Sequence, residues 1–105
     1  MPKKYRLSGE EIRNLSGKRL HGKLFSMLVA PIKGTGVKCA TVASKKVARR
    51  AVERNKIKRR CRAALSKRIM NIQKPIALVF YAKSDAKIAK FSAIEADIET
   101  LLSKV

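Results

Sequence analysis

Residues 45–70 contain no Gly and no Pro and are rich in Ala, Arg, Lys and Ile, which commits them to helix more firmly than any other stretch. Ser44 stands as the predicted N-cap. From Ile57 onward the apolar positions are 57, 61, 64, 65 and 69, one helical stripe. Lys56, Arg59 and Arg60 lie opposite that stripe, flanked by Asn55 and Arg62. Between Lys45 and Arg68, 12 of 24 residues are basic and only Glu53 is acidic, so this segment carries net +11 of the chain's +19. Like charges four apart on a helix, such as Arg54/Lys58 and Lys58/Arg62, repel by a few tenths of a kcal/mol. A face meant only for solubility would alternate them with Glu. The ridge therefore predicts a polyanion partner, structured RNA first, because shape and phosphate contacts dominate there and guanidinium forks reach two phosphate oxygens at once. Arg54 projects near the middle of the stripe, so it either snorkels at the helix start or lines a cleft edge.

The remaining segments are shorter. Ser8-Gly9-Glu10-Glu11 reads as a capping box opening a helix over residues 9–15, with Ile12 and Leu15 on one face and Gly17 as terminator. Tyr5–Leu7 is an extended lead-in. Lys23–Ala30 reads as a strand stopped by Pro31. Val37–Ala43 reads as a second strand, with Val37, Cys39, Thr41 and Ala43 on one face. The short link Lys33-Gly34-Thr35-Gly36 predicts that these two strands form an antiparallel hairpin. Ile76–Ala82, apolar on both faces, is a covered or central strand. Phe91, Ile94, Ile98, Leu101 and Leu102 form the stripe of a last helix, and Ser92–Glu95 offers a capping box near its start. The expected fold class is α+β: one domain over 1–105, a small two-layer sandwich in the order α-β-β-α-β-α.

Length and composition close off several classes of function. At 105 residues with 46% apolar content, folding hides roughly 60–70% of the unfolded surface, so a core is attainable. No apolar run approaches the ~18–20 residues of a membrane span, and Met1–Arg6 lacks the apolar segment of a secretory signal. Two cysteines, Cys39 and Cys61, make neither a disulfide framework nor a metal cluster; both read as core, in a reduced, cytoplasmic chain. The single His, His21, reads as a surface or capping residue. Glu95, Asp97 and Glu99 read as a solvated helix face. No catalytic residue and no metal ligand is assigned. Phe80 reads as core, while Tyr5 and Tyr81 stand equally between core and base stacking.

The run Ser44-Lys45-Lys46-Val47 … Arg54-Asn55-Lys56-Ile57-Lys58-Arg59-Arg60-Cys61-Arg62 resembles the signature of the bacterial ribonuclease P protein subunit. That family carries S-K-K at a strand end, then R-N-R-x-K-R-x-x-R on the next helix. The resemblance extends over most of the chain, with Lys56 in place of the second motif Arg and with Ile12 and Leu15 where the family's first helix bears phenylalanines. It implies a fold like domain 2 of ribosomal protein S5, with a left-handed βαβ crossover. It implies a protein that pairs one-to-one with a catalytic ribonuclease P RNA and helps it remove the 5′ leader of precursor tRNA. The chemistry would rest with the RNA and with Mg²⁺ held mainly by RNA and substrate. Arg54, Asn55, Lys56, Lys58, Arg59 and Arg62 would dock on the RNA subunit. A cleft bordered by Ile12, Leu15, Phe25, Lys45 and Lys46 would hold the leader, with Phe25 supplying a ring.

Two rival readings fit the charge alone. One is a ribosomal or other structural RNA-binding protein without a role in cleavage. The other is a basic membrane-surface or DNA-compacting protein, disfavoured because the basic helix lacks a Trp/Phe-rich apolar face.

Overall fold

The computed structural model describes residues 3–105. A short 3-10 turn, Lys3–Tyr5, leads to helix α1, Gly9–Arg13; strands β1, Lys18–His21, β2, Phe25–Pro31, and β3, Lys38–Val42, follow. Helix α2, Ala51–Ser66, then precedes β4, Ile76–Ala82, and α3, Phe91–Leu102. The fold is the expected α+β class, with one strand more than the sequence predicted.

That strand is β1. Three of its four residues are polar, and only Leu20 points to the core, so the apolar pattern leaves almost no trace. Lys and Arg along an outer strand guard its unpaired edge against other chains. The sheet order is β1-β2-β4-β3, which overturns the predicted hairpin. β2 pairs antiparallel with both β1 and β4, and β3 pairs parallel with β4. The link between β2 and β3 thus crosses two strand spacings, about 10 Å, with Gly34 and Gly36 at positive φ (115° and 102°). β4 takes the gap because all seven of its residues are apolar or aromatic, a composition best satisfied between two neighbours.

Register divides the sheet into two faces. Phe25, Met27, Cys39, Thr41, Leu78 and Phe80 point to one side, where α2 and α3 cover them. Ile57, Cys61, Ala64, Leu65, Ile69, Ile94, Ile98 and Leu101 complete this core and are at most 3% exposed. Each large side chain among them contributes roughly 1.5–3 kcal/mol by leaving water. Cys39 and Cys61 are the predicted core residues; burial pushes the Cys61 thiol up to about 12, and burial, with Cys61 beside it, pushes Cys39 up as well. Both therefore stay protonated thiols.

Several helix boundaries differ from expectation. The capping box at α1 is present: Ser8 Oγ accepts the Glu11 N–H at 3.1 Å and Glu11 Oε1 accepts the Ser8 N–H at 2.9 Å. The helix stops at Arg13, because Asn14 closes it at φ −94°, ψ 0°. Gly17 serves instead as a close crossing, where a Cβ would lie 2.0 Å from the Val29 carbonyl oxygen. Helix α2 begins at Ala51, not after Ser44, since Arg50 is extended. The Ser44 carbonyl, rather than its hydroxyl, accepts the Val47 and Ala48 N–H groups (3.1 and 3.2 Å) and closes a separate turn. Helix α3 starts after Lys90 without a side-chain cap, so Ser92–Glu95 is no capping box.

Asp97 corrects the solvated-face reading of the last helix. It is buried, and its carboxylate accepts the N–H groups of Lys23 (2.9 Å), Leu24 (3.0 Å) and Phe25 (3.0 Å). α3 thereby holds the β1–β2 turn. Gly22 is required there, because a Cβ would sit 2.7 Å from Asp97 Oδ1.

Candidate RNA-binding surfaces

The basic segment separates into cations that are engaged and cations that are not. Arg54 Nη1 donates to the Ala48 carbonyl at 3.0 Å and to the Arg49 carbonyl at 2.7 Å. Its place on the apolar stripe is thus explained: the guanidinium braces the turn before α2. Arg60 Nη1 donates to the Ala89 carbonyl at 3.0 Å. Lys67 pairs with Glu95 (3.4 Å), and Arg68 pairs with Glu95 (3.7 Å) and Glu99 (3.1 Å). Glu53, the one acid in the segment, pairs with Lys87 at 3.3 Å, and that hydrogen bond holds its carboxyl below the usual range.

Among the described residues no carboxylate pairs with Lys45, Lys46, Arg49, Arg50, Lys56, Lys58, Arg59 or Arg62. Asn55, Lys56, Arg59 and Arg62 are exposed and Lys58 is half-buried. The free charge is therefore concentrated on the first three turns of α2 and the turn before it. Lys45, Lys46 and Arg49 also border a recess of about 550 Å³ with Lys87. Such a group of ammonium and guanidinium donors is suited to a phosphate backbone.

The second surface is the sheet face turned away from α2 and α3. His21, Ser26, Tyr81 and Val42 are cross-strand neighbours in one row, and Arg19, Leu28, Val79 and Ala40 form the next. Leu28, Ala40, Val42 and Tyr81 are half-buried. The Arg19 guanidinium lies 4.4 Å from the centroid of the Tyr81 ring, and His21 Nδ1 lies 3.1 Å from Ser26 Oγ. α1 stands over the β3 side of this face. Glu11 pairs with Lys38 at 3.4 Å, and the Leu7 N–H donates to the Cys39 carbonyl at 3.0 Å. The remainder is a groove with an aromatic ring, aliphatic floor and cationic border, chemistry that receives stacked, unpaired bases.

Residues predicted for the two surfaces fall out unevenly. Ile12 is half-buried beside Ala40, and the same small recess, about 120 Å³, is lined by Arg62. The helix ridge and the groove thus adjoin at the β3 edge. Leu15 is half-buried just beyond α1. Lys45 and Lys46 follow β3 at the end of the sheet where Tyr81 and Val42 lie. Phe25 is not a groove residue: it is fully buried on the opposite face, paired with Ala82 and one position out of phase with Ser26. Tyr81 supplies the ring instead. Sequence reading missed Arg19, Leu28, Ala40 and Val42 as groove residues; alternation names them once the facing strand is known.

The family model for ribonuclease P matches residues 1–105. The chain belongs to the ribonuclease P protein family. Among solved structures it is similar to a mutant of the Staphylococcus aureus RNase P protein, at 24% identity, covering 96% of this chain and 87% of that one, with a TM-score of 0.86. It is also similar to the Thermotoga maritima RNase P protein, at 22% identity, covering 85% of this chain and 84% of that one, with a TM-score of 0.76. At these identities the structures show a shared fold. No curated protein sequence matches the chain. As a ribonuclease P family member the chain falls within tRNA processing. Among the described residues no group of three or more His, Cys, Asp or Glu side chains converges as a metal site, and no helix is long and apolar enough to cross a membrane.

Proposed function

We propose that this chain is the protein subunit that assists a catalytic RNA in removing the 5′ leader from precursor tRNA, in the cytoplasm and in a one-to-one complex. The observation that carries the reading is the junction of two unlike surfaces at the β3 edge, where Arg62 and Ile12 line one recess. Lys56, Lys58, Arg59 and Arg62 form a cationic ridge matched to a folded RNA. The half-open sheet face, with Tyr81 and Leu28, is matched to a single strand. One protein can then hold the RNA subunit on the ridge while the leader lies in the groove. Arg54 serves the docking surface indirectly, by fixing the turn that carries Lys45, Lys46 and Arg49. Mg²⁺ held by RNA and substrate would supply the activated water that attacks the phosphodiester. This chain's residues position the strand and screen phosphate charge.

Reconstitution with a bacterial ribonuclease P RNA at low Mg²⁺ tests the reading. The expected result is faster cleavage of precursor tRNA than with RNA alone. Tight RNA binding without any gain in cleavage would favour a structural RNA-binding protein instead.

A further inference from the structure

A separate recess of about 400 Å³ lies at the end of the sheet opposite Lys45 and Lys46, bordered by Lys4, Tyr5, Thr35, Gly36, Met70 and Gln73. That volume falls within the range of small-molecule sites, about 300–1,000 Å³. It shares no lining residue with the ridge or the groove. Met70 is 63% exposed at its rim, an apolar thioether that packing does not account for. The Tyr5 ring rests against the core on one side, while Lys4 Nζ lies 5.1 Å from its centroid. That ammonium is exposed, so a planar ligand can displace it from the ring. Gln73 is exposed and offers an amide donor and acceptor, and Thr35 adds a hydroxyl. No lining residue is acidic, and exposed Lys33 and Lys74 stand next to the lining segments in sequence.

We propose that this recess holds one unpaired nucleotide of a bound RNA, with its base between Tyr5 and Met70. Gln73 would meet the base edge and Lys4 the phosphate. A thioether is polarisable and conforms to a flat ring, and a tyrosine face accepts any base. Lys4 is the one charged lining residue and no acid opposes it, so the recess favours an anionic ligand over a neutral one of similar shape. Met70 lies in the 3-10 turn Ile69–Asn71 that follows the far end of α2, and Gln73 lies just past that turn; the 16 residues of α2 span about 24 Å. An RNA lying along that helix from the basic turn would be carried toward the recess.

The test is a titration of the isotopically labelled full chain with a uridine pentanucleotide, followed by amide NMR shifts. The expected result is saturable movement of the Gly36, Val37 and Gln73 resonances. Binding read at these resonances should weaken at least about fivefold in Met70→Ser and in Gln73→Ala. Both side chains are exposed, so neither variant compromises folding, whereas Tyr5→Ala would open the core. Shifts confined to Leu28, Val42 and Tyr81 would overturn the proposal, as would unchanged affinity at the recess in both variants. The proposal rests on the chain meeting single-stranded RNA, not on its assisting cleavage, so this titration and the low-Mg²⁺ assay can fail independently.

Discussion

The two faces of the sheet are made by the same strands and differ in what lies over them. One is sealed by α2 and α3, and its side chains are almost wholly withdrawn from water. The other has α1, five residues long, over part of its width, and leaves Leu28, Ala40, Val42 and Tyr81 half-open. The sealed face holds the molecule together, and the open face is available to a ligand without disturbing that core. Neighbouring residues on one strand can therefore serve opposite purposes. Phe80 is core and Tyr81 lines the groove; Phe25 is core and Ser26 faces the groove floor.

Substitutions on the two faces should separate accordingly. The largest effect is expected for Phe25→Ala, a loss of about 3–5 kcal/mol in unfolding free energy from a cavity in the sealed core, measured by urea denaturation. A variant that stays fully stable but loses affinity for the leader strand would reverse the assignment of Phe25. Next comes Asp97→Ala, which strands three backbone N–H groups at the β1–β2 turn; a loss of about 1–3 kcal/mol is expected, visible as a lower urea midpoint. Tyr81→Ala should cost about 1–3 kcal/mol in affinity for a single-stranded leader, read by fluorescence anisotropy, with a smaller change in the urea midpoint than Phe25→Ala. The smallest contrast compares cations at the two ends of the basic segment. Arg59→Ala should lower the salt slope of RNA binding by about 1. Lys67→Ala should change it less, because Glu95 already neutralises Lys67.

The sequence carried α2 and α3 because their stripes repeat at helical spacing over several turns, and β4 because nothing in it is polar. It also carried the α1 capping box, a strictly local device. What it lacked was partnership. The β2–β3 hairpin is a natural inference from a short link, and only the intrusion of β4 from more than thirty residues downstream defeats it. Strand β1 is hidden because a guarded edge shows a single apolar residue. Phe25 was misplaced because a strand of mixed apolar residues does not reveal which phase faces the helices. Asp97 looked like its neighbours Glu95 and Glu99, and only its position above the β1–β2 turn makes it an internal acceptor. The ridge residues are readable as a charge pattern, but which cations are engaged depends on α3 and on carbonyls closed into turns.

The place of β4 between β2 and β3 also bears on how the chain acquires its fold as it is synthesised. Until Ile76–Ala82 has emerged, β3 has no adjacent strand, and the β1–β2 turn waits longer still for Asp97. The long-range pairings that complete the sheet come from the last third of the chain, and such non-local closure is slow. A fragment ending before Ile76 retains only the β1–β2 pairing, which is marginal alone, and is expected to lose most of the sheet signature by circular dichroism; a full sheet signature in that fragment would contradict this order. The cationic segment is thus synthesised before the strand that completes the sheet over its apolar stripe, and that stripe stays uncovered until the last third of the chain arrives.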